Sequence, residues 1–238
     1  MQDSDALNSI KHSLDRIEAL VSDLAKNGLN REIQHRWIIE AADYIHTNLV
    51  DAVEFLNKPY MYSEALKGVS VVDGIFAEFG VFNGESINII ARLAPNSIIF
   101  GFDSFEGLRE DWRGQTAVKG SFSLQGRTPP VEKNVRLVKG WFHETLPQFL
   151  HLIPKKPFSF IHVDCDTYEA TKTILDCAGS RIVRGTIIIF DEYFGYRGWK
   201  NGEFKAWKDF VSEHNLVYRY RGFHAEQVVI EVVNRPGF

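Results

Sequence analysis

Between residues 74 and 190, five short runs rich in Val, Ile and Phe alternate with longer stretches whose apolar residues recur at helical spacing. Each run is long enough only for a strand, and each intervening stretch can carry the chain back across a sheet. This restricts the segment to βαβ units around a parallel sheet. Strands are expected at 74–81, 97–103, 135–141, 158–164 and 185–190, and helices at 84–94, 144–151, 168–181 and 203–214. Two further β-rich stretches, 216–222 and 226–233, are separated only by Phe223, His224 and Ala225. That gap cannot hold a crossover, so the pair is expected to finish the sheet as an antiparallel hairpin.

Ahead of the sheet, Leu7, Ile10, Leu14, Ile17, Val21 and Leu24 fall on one seam of a helix, spaced alternately by three and four residues. The seam suits either packing on its own domain or dimerisation, and Asn27-Gly28 is expected to end the helix. A second helical pattern covers 31–57, through Ile33, Trp37, Ala41, Tyr44, Ile45, Leu49, Val53 and Leu56, and is expected to stop at Lys58-Pro59. The chain thus divides into a helical segment, 1–58, suited to oligomerisation and to covering a substrate, and an α/β domain, 59–238.

Charge and cysteine content narrow the partners. Lys and Arg number 27 against 31 Asp and Glu, a formal net charge of −4, without the basic excess that nucleic-acid binding requires. Two cysteines, Cys165 and Cys177, make neither a disulfide framework nor a four-thiolate zinc site. The first residues lack a secretory apolar run, and no apolar run approaches the ~20 residues of a membrane span. A soluble, cytoplasmic protein is expected, with no membrane or nucleic-acid partner.

In an open parallel sheet, ligands bind beyond the carboxyl ends of the strands at the point where strand order reverses. The first strand runs into Gly80, Val81, Phe82, Asn83, Gly84, Glu85 and Ser86 before a helix. The glycines permit a tight turn and close backbone approach, and Ser86 with the helix N-terminus offers donors to an anionic group. The second strand ends in Asp103, about 20 residues after the turn, where a carboxylate can accept the hydroxyls of a ribose. Bulky residues at 79, 81 and 82 exclude the G-x-G-x-x-G dinucleotide fingerprint, so an adenosine-bearing ligand without a pyrophosphate fits better.

The fourth strand ends in Asp164-Cys165-Asp166 and the fifth in Asp191-Glu192. Four carboxylates on one rim repel one another unless protonated, paired or neutralised by a cation. A hard divalent ion is the economical solution, Mg²⁺ first, with Ca²⁺ or Mn²⁺ also suitable. Asp164, Asp191 and Glu192 are the expected ligands, and Asp166 the expected N-cap of the following helix. His162 falls on an apolar strand and reads as a core histidine with satisfied hydrogen bonds.

Taken together, EFGVFNGES (78–86), GFDSFEGL (101–108), KGWFHETLP (139–147), FIHVDCDTY (160–168) and GTIIIFDEYF (185–194) resemble the macrocin O-methyltransferase family. The resemblance implies a Rossmann-like, seven-stranded class I methyltransferase sheet with a C-terminal antiparallel hairpin, preceded by N-terminal helices. It implies S-adenosyl-L-methionine as cofactor, Mg²⁺, and methylation of a sugar hydroxyl in a natural product. Carried onto this chain, it places Glu78, Gly80 and Gly84 at the methionine end of the cofactor, with Ser86 and Asp164 also among the cofactor-binding residues. Asp103 and Ser104 would lie at the ribose, and Gly140, Trp141 and Phe142 beside the adenine. It matches Asp164, Asp191 and Glu192 to the metal ligands, with Asp-Glu where a pair of aspartates is usual.

The chemistry then expected is Mg²⁺-dependent transfer of a methyl group to a hydroxyl of a small molecule, by a homo-oligomer. Asp164 and His143 are the candidate general bases, although His143 equally suits a surface position. The long connections 104–134 and 193–202, with Trp112, Tyr193, Phe194, Tyr196 and Trp199, are expected as lids with aromatic faces. A non-catalytic adenosine-binding or scaffold protein is the rival reading. A metal-dependent phosphate hydrolase would leave the glycine turn and Asp103 without a role.

Overall fold

Strands made of uninterrupted apolar residues need cover on both faces, which helices on either side of a parallel sheet supply. Ile187–Phe190 (β6) shows this most clearly, with Ile188 and Phe190 in one buried layer and Ile187 and Ile189 in the other. The computed structural model describes residues 2–153 and 155–235. In chain order its elements are Gln2–Asn48 (α1), Val53–Glu54 (β1), Lys58–Lys67 (α2), Ile75–Phe79 (β2), Glu85–Leu93 (α3), Ile99–Asp103 (β3), Val135–Lys139 (β4) and Phe142–Leu152 (α4). There follow Phe158–Val163 (β5), Tyr168–Ala178 (α5), β6, Glu203–His214 (α6), Val217–His224 (β7) and Gln227–Asn234 (β8).

The sheet order is β1-β7-β8-β6-β5-β2-β3-β4. The run from β6 to β4 is parallel, and β8 lies antiparallel to both β6 and β7. The expected α/β architecture and closing hairpin are therefore present. An eighth, two-residue strand, β1, is added, parallel to the edge of β7. Strand order reverses between β2 and β5, so the ends of these two strands and of their neighbours form the crevice. No helix among the described residues is long and apolar enough to cross a membrane.

The N-terminal part departs from expectation. The helix does not stop at Asn27-Gly28, and α1 runs unbroken from Gln2 to Asn48. Asn27 is bonded back to Asp23 at 2.7 Å, and Arg31 pairs with the same carboxylate, so a polar ladder spans the glycine. Without a left-handed backbone at residue 28, glycine costs the helix only ~1 kcal/mol relative to alanine. Of the seam, the side chains of Leu7 and Leu24 lie outside the described residues. Lys58-Pro59 does not end a helix but begins α2: Asn57 caps it by accepting the Tyr60 N–H at 2.9 Å, and proline suits the first turn, where its missing N–H has no partner to lose. The C-terminal part of α1 docks through buried Ala41 and through Tyr44, whose hydroxyl lies 2.6 Å from that of Tyr220 on β7.

A Cβ at Gly28 would meet nothing within 4 Å. Gly28→Ala should therefore raise helical stability by ~1 kcal/mol, read as higher far-UV ellipticity and a higher thermal midpoint. A loss of helicity would instead indicate a left-handed cap at that position.

Candidate active site

Three neighbouring strands place a buried ionic ladder beneath the crevice. Glu78 on β2 is directly opposite His162 on β5, and both are fully buried. His162 Nδ1 lies 2.9 Å from Glu78 Oε2, and its Nε2 lies 3.4 Å from Oδ1 of Asp191, just past the end of β6. Lys58 Nζ donates to Asp191 Oδ2 at 2.7 Å, and Ser86 Oγ donates to Glu78 Oε1 at 3.0 Å. Burial alone would strip the proton from His162, but the carboxylates on both sides overcome it and raise its pKa to about 10. Burial pushes Asp191 up, yet the hydrogen bond and charge of His162, with Lys58, bring it down to about 2. The ladder is thus Lys58⁺, Asp191⁻, His162⁺ and Glu78, capped by the edge of the Tyr62 ring on His162. His162 is the buried, hydrogen-bonded core histidine expected, and it is also the charged centre of the site.

Beside this ladder lies a second group in which, among the described residues, no carboxylate forms an ion pair. Ligand oxygens of Asp164, Asp166 and Glu192 all lie within 4.8 Å of one another. Asp191 does not join that set; it groups with Asp164 and His162, and its Oδ2 also accepts from Gln227 at 3.3 Å. Asp166 was expected as a helix N-cap, but Thr167 takes that role, its hydroxyl accepting the Ala170 N–H. Asp166, in a left-handed conformation and largely buried, turns instead toward Asp164 and Glu192. Glu203 from α6 is buried beneath them and accepts the N–H groups of Cys165 and Glu192, each at 3.2 Å. Burial, followed by the charges of the neighbouring carboxylates, raises Asp164 and Glu192 well above the usual carboxylate range and Asp166 to about 7. Burial also lifts Glu203 to about 8. Among the described residues, the buried Oε2 of Glu192 has no hydrogen-bond partner. An all-oxygen donor set with surplus negative charge and an orphaned carboxylate oxygen fits a hard divalent cation.

These carboxylates open into a cavity of about 770 Å³. Gly80, Ser86, Asp103, Ser104, Gly140, Trp141, Phe142, His143, Asp164 and Glu192 all line it, whereas Glu78, Gly84 and Asp191 do not. Gly80 has φ +92°, and a Cβ there would run into the Asp164 carbonyl, so glycine is needed for the approach of two strand ends. Gly84, at φ +85°, begins α3 with no side-chain cap of its own, leaving the helix start toward the crevice. Asp103 accepts the N–H groups of Val81 and Phe82 at 2.8 Å each and of Phe105 at 2.7 Å. Its carboxylate therefore fixes the glycine turn as well as facing the cavity.

Ser104 accepts the Glu106 N–H, and the Gly140 N–H bonds to the Asp103 carbonyl, bringing the ends of β3 and β4 together. Trp141 carries the Arg109 guanidinium 5.9 Å from its ring centre, and Phe142 packs edge-on to Phe79. His143 stands half-exposed at the rim, 3.2 Å from Arg109, so the two candidate bases occupy the floor and the mouth of one cavity. The aromatic lid is only partly realised. Tyr193, Phe194, Tyr196 and Trp199 are buried: Tyr193 and Trp199 pack against Phe204 of α6, and Trp199 also against Tyr44 of α1, Phe194 packs against Phe223 of β7, and Tyr196 packs against Trp112. Trp112 alone of that set lines the cavity.

Sequence reading missed Lys58, Tyr62 and Glu203. Lys58 and Tyr62 come from α2, far from the crevice in sequence, and the proline that begins this element reads in the sequence as the end of the preceding helix. Nothing in the sequence marked Glu203.

A family model for a methyltransferase domain matches residues 77–193, from β2 to just beyond β6. Among solved structures, the calicheamicin methyltransferase CalS11 is similar at 23% identity and a TM-score of 0.60, over 84% of this chain and 91% of that one. An apo structure of CalS11, a TDP-rhamnose 3'-O-methyltransferase, gives 23% identity and a TM-score of 0.53 over 84% and 93%. The O-methyltransferase NovP gives 18% identity and a TM-score of 0.56 over 74% and 79%. No curated protein sequence matches the chain significantly. The fold is shared with class I methyltransferases, and residues 77–193 are similar to a methyltransferase domain.

Carboxyl groups raised on folding stabilise the fold at low pH and lose that contribution as pH climbs through the folded value. Without a cation, Asp166 and Glu203 should make the protein less stable as pH rises through about 7 and about 8, and His162 adds a loss toward about 10. Asp191 acts in the opposite sense, its contribution disappearing only as pH falls toward about 2. Thermal midpoints should therefore drop from about pH 5 to about pH 9, and added Mg²⁺ should raise them most at the alkaline end. A midpoint indifferent to Mg²⁺ there would count against a cation site.

Proposed function

We propose that this chain transfers the methyl group of S-adenosyl-L-methionine to a hydroxyl oxygen of a small molecule, a sugar of a natural product or glycoside. The observation that carries the reading is one cavity holding two features: the glycine turn with Asp103 and Trp141 at one side, and Asp164, Asp166 and Glu192 at the other. The similarity in fold to O-methyltransferases, one of them acting on TDP-rhamnose, supports it. When bound, the cofactor supplies a methyl group activated on a sulfonium, and Mg²⁺ supplies positive charge that acidifies and fixes a hydroxyl.

The protein's part is positioning. Asp103 holds the 81–82 amides in a preformed turn, and the backbone N–H groups at the start of α3 would offer donors to the cofactor's anionic end, while the Ser86 hydroxyl is committed to Glu78. The flat face of Trp141 suits the adenine. Asp164, Asp166 and Glu192 would hold Mg²⁺, while Lys58, His162 and Gln227 keep Asp191 as a support behind them. Asp164, at the cavity floor, is placed to take the proton of the reacting hydroxyl, and His143 is placed to exchange protons with solvent at the rim. Alignment of oxygen, methyl and sulfur in such a crevice is worth several kcal/mol of barrier, roughly 7 or more in well-oriented systems.

The test is methyl transfer from labelled cofactor to a panel of glycosides, with Mg²⁺ or with EDTA. Turnover should need the metal, and binding of S-adenosylhomocysteine should not. Asp166→Asn and Glu192→Gln should each lower kcat by roughly 10²-fold or more, as loss of a transition-state charge contact does. Transfer insensitive to EDTA and to both substitutions would reject the metal-dependent mechanism. No transfer to any acceptor, with the cofactor still bound, would favour the scaffold reading. Separately, Asp103→Ala should weaken S-adenosylhomocysteine binding by roughly tenfold or more in calorimetry, since three amides lose a charged acceptor.

A further inference from the structure

Residues 8–22 of α1 are exposed all round the helix, and among the described residues the side-chain hydrogen bonds and ion pairs from α1 to the body come from Gln34 onward, through Gln34 to the Gly195 carbonyl and Glu40 to Lys200. Along this free stretch Ile10, Leu14, Ile17 and Val21 form one apolar seam, widened by Leu20, each residue 54–59% exposed. A solvent-facing helix with a continuous apolar stripe lacks the partner that such a stripe needs.

We propose that this seam pairs with the same seam of a second copy of the chain, as an antiparallel two-helix coiled coil. The spacing from 10 to 14 to 17 to 21 is four, three and four, and reads the same in both directions. A two-fold axis between Leu14 and Ile17 therefore sets Leu14 opposite the partner's Ile17 and Ile10 opposite the partner's Val21, an isologous and closed contact. Charge fixes the direction. In the heptad defined by this seam, Lys11 and Glu18 both occupy the e position, and antiparallel helices bring e beside e. Lys11 then meets Glu18 of the partner subunit, and Glu18 meets the partner's Lys11. A parallel pair would instead set Lys11 against position 6, an alanine, and Glu18 against position 13, a serine. Among the described residues, neither Lys11 nor Glu18 makes an ion pair within its own chain.

The helix from the axis to the docked part near Gln34 is about 28 Å long, at ~1.5 Å per residue. The two bodies would be held apart, and each crevice would be complete without the other chain.

Sedimentation of the full-length protein should give twice the chain mass. Leu14→Glu and Ile17→Glu should each return the single-chain mass, with the body's thermal midpoint and cofactor binding unchanged. Lys11→Glu should raise the dissociation constant at least severalfold, and the reversal Lys11→Glu with Glu18→Lys should restore it. Orientation is read by oxidation: Ile10→Cys mixed with Val21→Cys should cross-link, whereas Ile10→Cys alone should give no more than the unmodified protein with its native Cys165 and Cys177. A single-chain mass for the unmodified protein at all concentrations, a double mass that survives Leu14→Glu and Ile17→Glu, or efficient cross-linking by Ile10→Cys alone would each overturn the proposal.

Discussion

The proton on His162 is the interaction on which the rest of the crevice depends. It sits between two carboxylates contributed by different strands, Glu78 and Asp191, in a place where an unpaired charge would be very costly. Holding it there fixes the relative positions of β2, β5 and the end of β6, the three strands that flank the reversal of strand order. Lys58 extends the ladder and ties α2 to the sheet, so an element outside the βαβ pattern becomes part of the floor. Removing one member would leave its neighbour charged and buried, so the array acts as a unit rather than as separate pairs.

That array also decides which carboxylates stay available. Asp191 is consumed by Lys58, His162 and Gln227, while Asp164, Asp166 and Glu192 converge, among the described residues, without an ion-paired cation, although the His162 charge acts on Asp164 through space. Two acidic groups a few ångströms apart thus have opposite characters, one held ionised by its partners and the other pushed toward protonation by burial and mutual repulsion. Glu203 supports the second group from below by pinning the backbone at Cys165 and Glu192, and so fixes the ends of both strands that carry it.

Much of this was legible in the sequence because it rests on local pattern. The five parallel strands, the closing hairpin, the turn at Gly80–Gly84 and the acidic rim follow from periodicity and from the residues that end each strand. What local pattern could not supply was competition between signals. Asn27-Gly28 carries a stop signal, but Asp23 engages Asn27 and Arg31, and the helix continues. Proline at 59 serves a helix start as well as a stop, and Asn57 decides between them. Asp166 obeys the N-cap rule on composition, yet Thr167 stands one residue closer to the helix and takes the cap. The division of labour among the carboxylates was out of reach for a different reason: it depends on strand order, on α2 and on α6, which bring Lys58 and Glu203 to residues far away in the chain.

With His162 doubly protonated and retaining Asp191, a cation would be left to Asp164, Asp166 and Glu192. Nitrogen NMR of protein carrying labelled histidine, recorded at about pH 8 with and without Mg²⁺, tests it directly. Both ring nitrogens of His162 should carry protons, with little change when Mg²⁺ is added. A neutral His162, or one that loses a proton on Mg²⁺ binding because Asp191 has left it for the metal, would contradict the account.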